Sequence, residues 1–427
     1  MNTDLTTNIL NILKEEIVPA EGCTEPIALA FAGAKLKKIL GSLPEKVEIY
    51  LSGNIIKNVK SVIVPNSGGM AGIEVAIALG IIAGDSNKNL LVISDVPKDL
   101  LPTVKNYLSK ISVYKANNDL KLYIKIVGFS GENSASIEIK HLHTNITKIE
   151  KNGHIILENP CNDGDFNSSL TDRKILTVKR IYDMAKSIDI TLIKPIFSNV
   201  ILYNSAIAEE GLKESYGVNI GKNIMKAIEE GYYGNDLKNK CAAFASAGSD
   251  ARMSGCPLPV MTTSGSGNQG MTASLPVIKY CIEKNIDEDT LIRALFVSHL
   301  TTIHIKTNVG RLSAYCGAIC ASGGIAAAIA FLNNESYDVV ANSISNTLGN
   351  LSGVICDGAK ASCAMKIASS VYAAFDGYLL AKANKNLKTG DGIIGTDIED
   401  TIKNVGILAS KGMKETDNVI LNIMISK

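Results

Sequence analysis

The 427-residue chain has no tryptophan, only 5% aromatic residues and five histidines. So few flat rings exclude a stacking platform for single-stranded nucleic acid. Charge is sparse as well. Lys and Arg number 43 and Asp and Glu 42, leaving a net +1. That balance excludes both an overall basic footprint and an acidic solvating chain, and no helix-turn-helix is recognisable. Long apolar runs are missing. The most apolar stretch, residues 323–332, is about half the roughly 20 residues a membrane span needs. The opening Met1-Asn2-Thr3-Asp4-Leu5 has no basic region and no apolar region, so no secretory signal is expected. These absences predict a cytoplasmic enzyme that touches neither nucleic acid nor membrane.

Hydrophobic residues make up 46% of the chain and mean hydropathy is +0.15. Such a core-rich composition predicts subunit interfaces, and we expect a homo-oligomer, a dimer. At roughly 150 residues per domain the length predicts two to three domains. Nine cysteines stand at positions 23, 161, 241, 256, 281, 316, 320, 356 and 363. An odd number without a secretory signal argues against a disulfide framework. Cys161, Cys241 and Cys281 read as structural thiols.

The pattern predicts an α+β protein in which a large, mainly helical domain with Gly-rich loops carries a smaller inserted α+β domain. Residues 1–84 would be N-terminal helices and a strand pair packing on the C-terminal domain. Residues 85–170 would form the small domain, and residues 171–427 the helical domain. Residues 8–40 read as two helices broken at 19–26, with Thr24 as N-cap and Pro26 in the first turn. Residues 47–64 read as a strand pair, 65–70 as a loop and 72–83 as a buried helix. Residues 90–94, 120–127, 134–141 and 146–150 read as strands and 100–108 as a helix. Residues 160–169 read as a linker. Beyond 171, Gly/Ser loops are predicted at 246–254, 262–270, 308–313, 352–361 and 389–395.

Several motifs can carry chemistry. Cys23 falls near a helix start, where peptide N–H groups favour a thiolate. Cys356 and Cys363 bracket six residues, and Cys316-Gly-Ala-Ile-Cys320 lies 40 residues upstream. C-x2-C pairs and adjacent His are lacking, which weighs against a zinc ribbon. An iron–sulfur cluster suits the setting better, with a buried small-residue core as the alternative. Gly265-Ser266-Gly267-Asn268-Gln269-Gly270 imitates a dinucleotide fingerprint, but two prolines precede it. It reads instead as an anion-binding loop suited to a small carboxylate, or as a packing loop. His299, His304, Lys306 and Arg311 cluster in sequence. Lys306 and Arg311 read as carboxylate-binding or structural, and no pyridoxal-phosphate fold surrounds Lys306. His141 and His143 would share one strand face, either solvated or at a domain seam.

The strings E-G-C-T-E-P (21–26), P-N-S-G-G (65–69), S-G-S-G-N-Q-G (264–270), G-R-L-S-A-Y-C-G (310–317) and C-D-G-A-K-A-S-C (356–363) resemble the L-cysteine desulfidase family. That family is related to the α chain of iron–sulfur L-serine dehydratases. The resemblance implies a 4Fe–4S cluster held by Cys316, Cys356 and Cys363, with one iron open and no pyridoxal phosphate. Cys320 is then a bystander or a fallback ligand. It also implies that Cys23 accepts the substrate's Cα proton. The open iron would act as Lewis acid on the carboxylate and leaving group, giving pyruvate, ammonia and sulfide. Asn66, Ser67, Gly68, Ser266, Gly267, Asn268 and Lys306 are the expected substrate contacts. No S-S-S-H-T string, the serine dehydratases' base motif, is present, which favours the desulfidase branch. An L-serine ammonia-lyase on the same cluster is the second reading. A cluster-dependent sensor or a non-catalytic amino-acid-binding protein is the third. The three thiols should meet at one centre.

Overall fold

A computed structural model describes residues 3–161 and 170–426. Most of the predicted linker, 162–169, lies outside them. Sixteen α-helices and eight strands occur among the described residues, and the protein is α+β and mainly helical. Two strands, β1 (Pro19–Glu21) and β8 (Pro259–Met261), pair with each other. The other six are β2 (Lys46–Leu51), β3 (Ile111–Lys115), β4 (Tyr123–Ser130), β5 (Asn133–Lys140), β6 (Ile146–Lys151) and β7 (His154–Glu158). They form one sheet in the order β3-β2-β4-β5-β6-β7, antiparallel except for β2 with β3.

The sheet buries one face by simple alternation. Val47, Ile49 and Leu51 of β2, Ile124 and Ile126 of β4, and Ile137 and Ile139 of β5 are all fully buried. They pack with the helices Thr24–Leu40 and Ile73–Ala83 into one core. Those helices touch backbone to backbone: a Cβ on Gly80 would lie 2.0 Å from the Ala30 carbonyl oxygen. A second core joins the first helix, Thr3–Glu16, to the helices after residue 176. The α+β body therefore starts near residue 20, because β2 sits between β3 and β4. It does not start at residue 85.

Several local expectations change. Residues 47–64 are not a strand pair: after β2 comes a helix, Gly53–Val59, and in the second strand expected at 59–64 only Ile63 makes an isolated bridge, to Ala71. Residues 90–94 are not a strand but begin in a short 3-10 turn, Asn89–Leu91, with Leu90, Val92 and Ile93 buried one by one. Residues 246–254 are not a loop but belong to the helix Leu237–Met253, whose small residues admit neighbours. A Cβ on Gly211 would lie 2.0 Å from the Ala247 carbonyl oxygen. The helix Glu288–Val309 runs through the start of the loop expected at 308. One helix, Ile190–Lys213, is long and apolar enough to cross a membrane by composition, although no such run was expected. It carries Pro195 and Asn204; Asn204 is fully buried and receives the Met261 N–H on its Oδ1 at 2.8 Å.

The β1–β8 pair places the site. Ala20 faces Val260, and the Thr262 N–H donates to the Val18 carbonyl at 2.9 Å. This pairing lays residues 21–25 along the seam between the two cores.

Candidate active site at the seam

Cys23, rather than Thr24, is the N-cap residue of the helix Thr24–Leu40. Thr24 instead turns its hydroxyl across the seam to the Gly265 carbonyl at 2.8 Å. Cys23 is 2% exposed and packs with Val62 and Met253, with Ala359 and Cys363 alongside. The expected helix-start position is present, yet it does not yield a thiolate in the chain alone. Burial pushes the thiol up to about 12; Arg252 opposes the shift, while Glu25, Cys363 and Cys356 add to it. Desolvation outweighs the helix terminus and the guanidinium together.

The other cysteines arrive from the helical body. Cys316 is the N-cap of the helix Gly317–Leu332, and Cys363 opens the helix Cys363–Lys382. An isolated bridge, Tyr315 to Ile355, fixes the loops that carry Cys316 and Cys356. The Cys316 N–H donates to the Val354 carbonyl at 3.1 Å and the Cys356 N–H to the Ala314 carbonyl at 2.6 Å. Low-dielectric surroundings push Cys316 up to about 12, with Cys356 and Cys363 contributing as neighbouring charges. The sequence-predicted quartet is thus linked electrostatically, Cys23 to Cys356 and Cys363, and these to Cys316. Among the described residues, no group of three His, Cys, Asp or Glu side chains is drawn in to metal-holding geometry. The donor chemistry still fits: soft sulfur donors from two facing loops suit an iron–sulfur group. Cys320 is fully buried and pushed up to about 11; its charged neighbour is Lys306, not another cysteine.

The carboxylates flanking Cys23 diverge. Burial raises Glu21 to about 7 against the Asn66 hydrogen bond. Burial also acts upward on Glu25, but His143, Asn58 and its own backbone N–H outweigh it and hold the carboxyl near 2. His143 Nε2 stands 3.8 Å from Glu25 Oε1, and Asn58 Nδ2 donates to that oxygen at 3.0 Å. His143 also lies against Gly265, so it belongs to the seam rather than to a solvated face. His141 and His143 follow β5 in a turn, with His141 at φ 66°.

The expected substrate contacts divide. Asn66 spends its amide on Glu21 Oε1 at 2.6 Å and the Ile93 carbonyl at 2.9 Å. Ser67 donates to the Met70 carbonyl at 2.8 Å, and Gly68, at φ 71°, is an exposed turn residue. This loop buttresses Gly22, whose Cβ would fall 2.2 Å from Pro65. Ser266 caps the helix Gly267–Glu283, and Asn268 Oδ1 accepts from Ser249 at 3.3 Å. Lys306 acts on Cys320. His299 shares a hydrogen bond with Thr263 at 2.8 Å, and burial lowers it to about 3. His304 pairs with Glu399 at 2.6 Å.

The residues that sequence reasoning missed are those with idle polar atoms. Arg252 Nε, both amide atoms of Gln269 and Asn58 Oδ1 are buried without hydrogen-bond partners. Arg252 is 3% exposed and Gln269 fully buried. A Cβ on Gly267 would lie 2.4 Å from Arg252 Nε, and one on Gly317 2.4 Å from Gln269 Oε1. The available signal was one arginine closing an otherwise small-residue stretch, 242–251, just before Cys256.

Comparison with known proteins shows the family. Residues 109–422 match the family model described as the serine dehydratase alpha chain. UPF0597 proteins of Fusobacterium nucleatum and Desulfitobacterium hafniense are 66% and 50% identical, over 97% and 98% of this chain and 98% and 96% of theirs. One from Treponema denticola is 45% identical over 97% of both chains. The family match marks a serine-dehydratase-like enzyme of the lyase class. The chain belongs to the UPF0597 family, related to the serine dehydratase alpha chain.

Proposed function

We propose that this protein is an L-cysteine desulfidase, a lyase converting L-cysteine and water to pyruvate, ammonia and sulfide. The observation that carries the reading is the approach of Cys23, from the α+β side of the seam, to the Cys356–Cys363 loop of the helical body. Cys316, Cys356 and Cys363 would hold a 4Fe–4S cluster, which when bound supplies Lewis acidity for the leaving group. The chain's own part is proton transfer and exclusion of water. Cys23 sits among Val62 and Met253, where few waters reach it. A thiol so hard to ionise is rarely a thiolate, but the thiolate, once formed, is a stronger base than in water. Its Sγ takes the Cα proton. The electron pair left on Cα forms the C=C bond as the C–S bond breaks. The released aminoacrylate tautomerises to an imine and hydrolyses to pyruvate and ammonia. Thiols kept reduced imply a cytoplasmic setting.

The family match favours a second reading, elimination of water from L-serine. Anaerobic reconstitution with iron and sulfide, followed by parallel pyruvate and sulfide assays on both amino acids, separates them. Equimolar pyruvate and sulfide from cysteine is expected. Pyruvate from serine alone supports the dehydratase, and pyruvate from neither overturns both.

A further inference from the structure

Of the five arginines, Arg173 and Arg311 meet Glu16, and Arg180 and Arg293 donate to backbone carbonyls. Arg252 alone of the five has no ion pair or hydrogen bond among the described residues; its Nε, like those of Arg173 and Arg311, is buried without an acceptor. A guanidinium stays charged at any physiological pH, and an isolated charge inside a protein is costly. Something anionic is therefore missing from its surroundings.

Arg252 lies against a helix start. Its guanidinium edge lies on Gly267, the first residue of the helix Gly267–Glu283, where any side chain would collide with Nε, Cζ and Nη2 at 2.4, 2.6 and 2.8 Å. A helix start adds N–H donors and a partial positive charge to the fixed one. The guanidinium acts on the Cys23 thiol, and the Thr24 hydroxyl beside Cys23 donates to the Gly265 carbonyl, two residues before the helix, at 2.8 Å.

We propose that Arg252, backed by Gly267, is a preformed anchor for the α-carboxylate of an amino acid, engaging it without any contribution from a cluster. The lyase reading above supplies only the class of ligand. The anchor fixes the carboxylate end, so that the Cα–H is presented to Cys23 and the β-substituent is directed toward the three remaining thiols.

The test uses cluster-free, reduced full-length protein and isothermal titration with L-alanine, which has no leaving group, and with L-alaninamide, which lacks the carboxylate charge. Wild type is expected to bind alanine about 10- to 100-fold more tightly than the amide, the range of one charge-assisted paired contact. Arg252→Gln should lose that preference. Arg252→Lys, which keeps the buried charge and so guards against a folding failure, should retain a preference reduced about tenfold. The proposal is overturned if Arg252→Gln, folded by circular dichroism, keeps the wild-type ratio, or if wild type does not discriminate the two ligands. Should the ratio behave as expected while reconstituted enzyme makes no pyruvate from cysteine or serine, the anchor stands and the lyase reading fails.

Discussion

Two polar neighbourhoods flank the segment that carries Cys23, and they differ in what their polar atoms do. On one side, the loop at 65–70 has every named side chain committed: Asn66 to Glu21 and Ile93, Ser67 to Met70. On the other, Arg252 and Gln269 are as deeply buried and their polar atoms are idle. Buried polar groups are ordinarily paired, because leaving one unpaired costs on the order of 1–3 kcal/mol. A satisfied loop has the bonding of scaffolding, whereas idle groups beside Cys23 are ones that a ligand would complete. Both stretches are rich in glycine, and glycine content alone does not distinguish them.

The sharpest way to break this comparison is at its centre. Cys23→Ala in reconstituted enzyme should lower kcat by about 10²-fold or more with the fold intact, as for loss of a general base. Retained turnover would remove Cys23 from the chemistry. Next, Cys363→Ala should cut iron bound after anaerobic reconstitution to a small fraction of wild type, whereas Cys241→Ala should leave it unchanged. On the scaffolding side, Asn66→Ala should cost roughly 2–3 kcal/mol in denaturant unfolding, since two buried acceptors lose their donor. If the loss appears in KM instead, the loop contacts substrate after all.

The smallest effects separate the two carboxylates. Glu21 is raised to about 7 in the folded chain, so its contribution is complete below its unfolded value near 4.5. That contribution, roughly 3 kcal/mol at most, is lost as pH rises through 7. Glu21→Gln should flatten the fall in stability over this window. Glu25, held near 2, behaves in the opposite sense: its contribution is present above about 4.5 and is lost as pH falls toward 2. Glu25→Gln should flatten the acid limb only. Unfolding profiles of both variants against pH check the pair.

Local features around the candidate site are legible in the sequence. The C-x6-C spacing and the helix start at Cys23 depend on local sequence, and both are present. The missed parts depend on distant packing. Residues 246–254 look like a loop because Gly, Ser and Ala are weak helix signals. In the fold those same small residues let helices approach within backbone contact, as at Gly221 and Ala243, where a Cβ would meet the carbonyl oxygen at 2.6 Å. Arg252 was hidden by that misreading, since it is the second-to-last residue of the helix. The strand expected beyond residue 53 failed for a similar reason. Lys57 of the helix Gly53–Val59 is buried against Asp417 at 2.7 Å and donates to the Cys356 carbonyl at 3.1 Å. Partners some 300 residues away settle the local conformation, and periodicity carries no trace of them.

The short β1–β8 ladder has one more implication. It is the clasp that brings Cys23 from one half of the molecule against Cys363 of the other. A substitution that unzips it, Ala20→Pro for example, removes a ladder N–H at a fully buried position and would disarm the enzyme. Competence at this centre is thus a property of how the halves are latched, and a chain latched wrongly would be inert rather than indiscriminate.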